Sequence, residues 1–257
     1  MQARVRHPDD IAIGRTLRIL PGIVNDDLRE AVAAIDEVHG DGNLPAIPMM
    51  MVSDLRDLGG RDRDGVFIFR SLGEGMPPIP SVIHVRSGAP HKPFVAIHQI
   101  GHFLDISALP GPDASSRDHA ALTVWRRAVS NSRAYRALVE LAKSRNAGIA
   151  NRATELSNPE ELWARSYAQF IAERSTSRTL RRSLVALRQR IPNTLYYPRH
   201  WDDDDFAVIA AAIDELFRGL DGSFDRPRPF DGRDCGGHAE VRDQPRRSRN
   251  RCRDAAR

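Results

Sequence analysis

The stretch Val95–Asp105, VAIHQIGHFLD, decides how the chain is read. Apolar residues recur through it at helical spacing, and the break GAPHKP (Gly88–Pro93) precedes it, so an apolar helix is predicted over Phe94–Leu104. On that helix His98 and His102 stand four apart, leave one face and can converge on one cation. The spacing is that of the zinc-peptidase motif H-E-x-x-H, in which the Glu after the first His removes a proton from water on the metal. Here Gln99 holds that position. Gly101, beside the second His, permits close backbone approach. The spacing alone is equally compatible with a core helix carrying two hydrogen-bonded histidines, so the surroundings must decide.

Upstream, residues 26–38 place Leu28, Val32, Ile35 and Val38 on one face of an amphipathic helix. Three short apolar runs follow, Ile47–Val52, Gly65–Phe69 and Ser81–Val85, and these are expected as strands. The last, SVIHV, alternates in the manner of a half-buried edge strand. Downstream, residues 116–145 are expected as a helical pair broken near Ser130–Ser132. A further helix spans Asn158–Arg174, with Ser157 or Asn158 as its cap and Pro159 in its first turn. A last helix runs from about Asp203 to Phe217, and the acidic run Asp202–Asp205 at its start suits the helix dipole better than a metal. Strands followed by helices make an α+β domain whose C-terminal half is helix-rich.

A zinc ion held by two histidines takes a third protein ligand and keeps one position open. The helix NPEELWARSYAQFIAERS offers adjacent acids, Glu160 and Glu161, at its N-terminal end. HQIGHFLD followed by EELWARSYAQFI resembles the gluzincin-type catalytic domain of the anthrax lethal factor and Pro-Pro endopeptidase family. That family has an H-E-x-G-H-x-x-D helix and a later E-x-F-A-E-x-F helix. The metallopeptidase segments of phage polyvalent proteins, with an E-L-F-A-R type of second helix, are nearly as similar. The resemblance covers roughly Ile47 to Phe217. It implies a zincin-like fold, with a small mixed sheet whose edge strand packs on the histidine helix. It further implies Zn2+ held by His98, His102 and Glu161, with Glu160 as the alternative, and Asp105 either orienting a ligand imidazole or capping the helix. Arg165, one turn after Glu161, is expected to pair with Glu160 or Glu161. A peptide or protein substrate would add to Ser81–Val85 by strand pairing.

Two departures bear on activity. Gln99 cannot accept the proton, which removes general-base catalysis worth roughly 10²–10⁴-fold. The tyrosine that precedes the ligand Glu in lethal factor corresponds to Thr154, with Tyr167, Tyr196 and Tyr197 as the candidate substitutes, or as packing residues. A substitution made to trap an inactive enzyme, a natural peptide-binding pseudopeptidase and a fortuitous match without metal each account for Gln99. A peptidase-fold module of a phage structural protein is the remaining alternative.

Composition sets the outer bounds. The chain has 257 residues, 41% hydrophobic and 28% charged, enough for one large or two small domains. The basic excess is local: residues 225–257 hold ten Arg against six acids, while residues 1–224 balance 28 against 28. The neutral body argues against a nucleic-acid partner. The domain is therefore expected over 1–224, with its core at about 47–217, and a disordered Arg-rich tail over 225–257. Cys235 and Cys252 both lie in that tail and leave the fold independent of disulfides. No apolar run approaches a membrane span, and no apolar signal centre opens the chain, which implies cytoplasmic residence or delivery by a non-Sec route.

Overall fold

The computed structural model describes residues 18–19, 25–39, 48–53, 55, 64–70, 78–108, 114–189 and 195–220. All belong to one compact unit, Met1–Asp225, and the stretch expected as a tail lies outside the described residues. The helix predicted around the histidines is α2, Lys92–Ser107. Pro93 in its first turn fits the place where a missing N–H costs nothing. His91 precedes it in the left-handed region at φ 55, its ring nitrogen Nδ1 3.1 Å from Ser183 Oγ.

A four-stranded mixed sheet covers one side of α2. Its members are β1 (Arg18–Ile19), β2 (Pro48–Val52), β3 (Gly65–Arg70) and β4 (Ile79–Arg86), in the order β1-β2-β4-β3. β1, β2 and β4 are parallel, whereas β3 runs antiparallel to β4. Ile83 pairs with Met49 on one flank and Phe67 on the other. Ser81–Val85, expected at the edge, is therefore an interior strand, and among the described residues β3 ends the order on that side. The alternation of SVIHV has another cause: Ile83 and Val85 face the core at 0% exposure, while Val82 and His84 are half-buried. Alternation distinguishes the two faces of a strand and carries no information about its lateral neighbours.

α1 (Asp26–His39) starts where Asn25 Oδ1 accepts from Asp27 N at 2.8 Å, and it buries Leu28, Val32 and Ile35. These side chains share the core with α2, so the core extends N-terminally of the expected limit at residue 47. The helix-rich half comprises α3 (Ser115–Asp118), α4 (Thr123–Asn131), α5 (Arg133–Ala142), α6 (Ala147–Leu156), α7 (Pro159–Arg174), α8 (Arg178–Arg188) and α9 (Asp203–Leu220). The expected break falls at Ser132, which ends α4 and caps α5 by accepting from Tyr135 N at 3.2 Å. Asn158 caps α7 by accepting from Glu160 N at 3.1 Å. α7 is buried from Leu162 to Ala172, as suits a helix enclosed on all sides. Among the described residues no helix is long and apolar enough to cross a membrane.

Candidate metal centre

The site forms where α7 crosses α2, and two small residues allow the crossing. A Cβ placed on Gly101 would lie 2.8 Å from Ala164 Cα, closer than packed atoms stand, so only glycine permits this approach. Trp163 fixes the contact by donating from Nε1 to the Gly101 carbonyl at 3.0 Å. Glu161, one turn before Ala164, is thereby brought over the histidine face of α2.

The imidazoles of His98 and His102 stand edge to face at 87°, with Nε2 atoms 3.2 Å apart. Glu161 Oε2 lies 3.6 Å from the first Nε2 and 3.5 Å from the second. Ligand bonds of about 2.0–2.1 Å at tetrahedral angles put neighbouring donor atoms about 3.3–3.4 Å apart. The three atoms thus form one face of a coordination tetrahedron and could hold a metal ion. The three side chains retain 18%, 22% and 26% exposure, so the group is not sealed from solvent. Glu160, the alternative acid, is turned away: it accepts from Arg117 Nε at 2.6 Å.

Burial opposes ionisation of Glu161, but His98, the contacts of both imidazoles and Arg165 outweigh it and hold its carboxyl well below the usual range. Arg165 pairs with Glu161 rather than Glu160, its Nε 3.7 Å from Oε1. It is 3% exposed and tied down on every side, donating to the carbonyls of Glu161, Arg199, Pro198 and Leu156. Its burial lowers the guanidinium to about 10, so it stays charged at neutral pH.

Gln99, at the general-base position, is 8% exposed and lies against β3, where a Cβ on Gly65 would meet its Cγ at 3.0 Å. Asp105 does not bind either imidazole: it accepts from Ser116 N at 2.6 Å and Ser116 Oγ at 2.7 Å, anchoring α3. Nor does it cap α2, which continues to Ser107. Burial raises its carboxyl to about 6, against the opposing pull of the Ser116 bonds. The tyrosine substitutes fare unevenly. Thr154 is exposed on α6 and donates to Ala150 O at 2.8 Å. Tyr167 is 0% exposed, stacked between Trp163 and His39. Tyr196 and Tyr197 are half-buried.

Sequence reasoning did not single out His200. It is 6% exposed and packs edge-on against Phe94, one helical turn before His98, with ring centroids 5.1 Å apart. Its only signal in sequence is a lone His in PRHW. The acidic run beside it makes its contacts within the protein. Asp205 caps α5 by accepting from Arg133 N and Ala134 N, both at 3.0 Å, and both Asp202 oxygens accept from Arg133 Nη2, at 2.9 and 3.0 Å. Comparison with protein-family models, curated proteins and solved structures finds no match to this chain.

Proposed function

We propose that the chain is a metallopeptidase-type domain that holds one zinc ion on His98, His102 and Glu161 and binds a peptide along β3. The observation that carries this reading is the convergence of three donor atoms, 3.2–3.6 Å apart, from two histidines and one carboxylate. Two imidazoles and one carboxylate are the donor set of a catalytic zinc site. Bound zinc would polarise a peptide carbonyl and acidify a water.

The chain's own residues have separable roles in this scheme. Glu161 remains ionised and ready to bind a cation. Arg165 fixes its second oxygen and leaves Oε2 for the metal. β3 ends the sheet order among the described residues, and Gln99, next to His98 in sequence, packs against Gly65 of β3, so a peptide paired to β3 would run close to the site. An amide has no proton-accepting group of useful basicity, so Gln99 leaves hydrolysis without its base. The same residue favours a second function, retained peptide binding with hydrolysis suppressed, because strand pairing does not use that base.

The test is native mass spectrometry for zinc per chain, followed by incubation of the parent and Gln99→Glu with a mixed peptide library. One zinc in both and cleavage raised roughly 10²–10⁴-fold in the variant is the expected result. No zinc in the parent would overturn the metal site. Zinc without cleavage by the variant would leave only the peptide-binding function.

A further inference from the structure

We infer that Arg117, carried on the short helix α3, is a positioning residue of the metal centre: it sequesters Glu160, so that Glu161 alone meets His98 and His102 and one coordination position stays open. The inference deepens the function proposed above and rests on its metal site.

Position is the first argument. A cation on His98, His102 and Glu161 would join α2 to α7, and α3 joins the same two helices through successive residues. Ser116 reaches α2, where Asp105 accepts from its N at 2.6 Å and its Oγ at 2.7 Å. Arg117 reaches α7, where its Nε donates to Glu160 Oε1 at 2.6 Å, with Nη2 2.5 Å from the same oxygen. Asp105 follows His102 on α2 and Glu160 directly precedes Glu161 on α7, so each contact falls within one helical turn of a candidate ligand.

The second argument is that α3 is itself held. Ser116 is 0% exposed and Asp105 2%, so the bonds between them form away from competing water. At the other end of α3, Arg126 of α4 donates to the carbonyls of His119 at 2.9 Å and Asp118 at 3.4 Å. The helix is thus fixed on α2 and α4 before Arg117 extends to α7. Its guanidinium starts from a firm base, and Glu160 is the group that must come to it.

The third argument is the ambiguity that two adjacent acids create. Glu160 and Glu161 both stand in the first turn of α7. Neighbouring side chains leave a helix about 100° apart, so rotation or fraying of that turn exchanges which carboxylate is nearer the histidines. Asn158 caps the turn by accepting from Glu160 N at 3.1 Å, but a cap satisfies the backbone and does not choose between side chains. Arg117 makes the choice. It bonds Glu160, while Arg165 stands 3.7 Å from Glu161 Oε1, so each acid has a cation of its own and only Glu161 Oε2 is left facing the imidazoles.

The test loads the full chain with cobalt(II), whose visible absorption changes with its ligand set, and titrates azide as a probe of the open position. The parent, Arg117→Ala, Glu160→Gln and the double variant are compared. Freed Glu160 competes for the open position, so azide should bind roughly 10-fold more weakly to Arg117→Ala, with a shifted cobalt band. Glu160→Gln should match the parent, and the double variant should return both readouts to the parent's values. A merely structural role for Arg117 would not be rescued by removing a second side chain. Azide affinity unchanged in Arg117→Ala, or a loss that persists in the double variant, would overturn the inference alone. A parent that takes no cobalt would overturn the metal site and this inference together. Where Arg117→Ala unfolds the domain, Arg117→Met repeats the comparison.

Discussion

Two acid-bearing clusters in this molecule use carboxylates to opposite ends. At the head of α9, Asp202 and Asp205 find their partners within the protein, in the α5 cap and in Arg133. At the α2–α7 crossing, Glu161 and the two histidines meet each other around a shared point. The first arrangement is satisfied by backbone N–H groups and guanidinium; the second brings lone pairs together and leaves a cation as the natural partner. Four consecutive acids therefore make a weaker metal candidate than one acid drawn from a distant helix.

The largest expected effect separates the clusters directly. Glu161→Ala should weaken zinc binding by roughly 10³-fold, about a third of the 10–16 kcal/mol typical of a complete protein zinc site. Asp205→Ala should leave zinc affinity unchanged and lower stability by about 1 kcal/mol through the lost cap. Zinc titration and urea denaturation of both variants check the pair. Equal loss of zinc in both would erase the distinction.

A second prediction concerns Asp105, an acid beside the candidate metal centre that is satisfied like those of α9. Its carboxyl is raised to about 6 from 3.8, so the folded state binds its proton more tightly than the unfolded chain does. This group's stabilising contribution is present below about pH 4 and is lost as pH rises through about 6. Asp105→Asn removes that dependence. Its stability relative to the parent should rise between pH 4 and pH 7 by up to about 3 kcal/mol, at 1.36 kcal/mol per pKa unit. Urea denaturation at the two pH values measures it, and a difference independent of pH would place the cost of Asp105 elsewhere.

The smallest effect probes the crossing itself. Gly101→Ala would gain about 1 kcal/mol of helix propensity but forces a methyl to within 2.8 Å of the α7 backbone. Overpacking costs about 1–3 kcal/mol, so a net loss of up to about 2 kcal/mol is expected. Zinc affinity should fall with it, because α7 can only relieve the clash by carrying Glu161 away from the histidines.

Local signals made much of this legible in the sequence. The Pro159 and Asn158 start of α7, the Ser132 break and the histidine spacing of α2 each depend on a few neighbouring residues, and each is found within a residue or two of its expected place. Two helices escaped. α8 carries Leu180, Leu184 and Leu187 and α6 carries Ile149, Ala153 and Leu156, so each stripe is only three residues long, too short to stand out among the flanking polar residues. The interior place of β4 was illegible for a different reason, since lateral order in a sheet is set by pairing between distant segments. In the site, His98, His102 and Glu161 were found by spacing and resemblance. The bond of Asp105 to Ser116 and the seat of His200 beside Phe94 depend on tertiary contacts that no local pattern encodes.

The donors of the site come from two helices, with the chain from His102 to Glu161 looping out between them through α3 to α6. A cation bound there would act as a removable staple. Like a disulfide across a long loop, it would restrict the unfolded chain as well as join folded surfaces. The tie would strengthen with metal concentration, by RT ln(1 + [L]/Kd), and a chelator would cut it. The sheet-bearing and helix-rich halves of this domain would then share one adjustable bond, and the melting temperature would report its occupancy without any substrate being known.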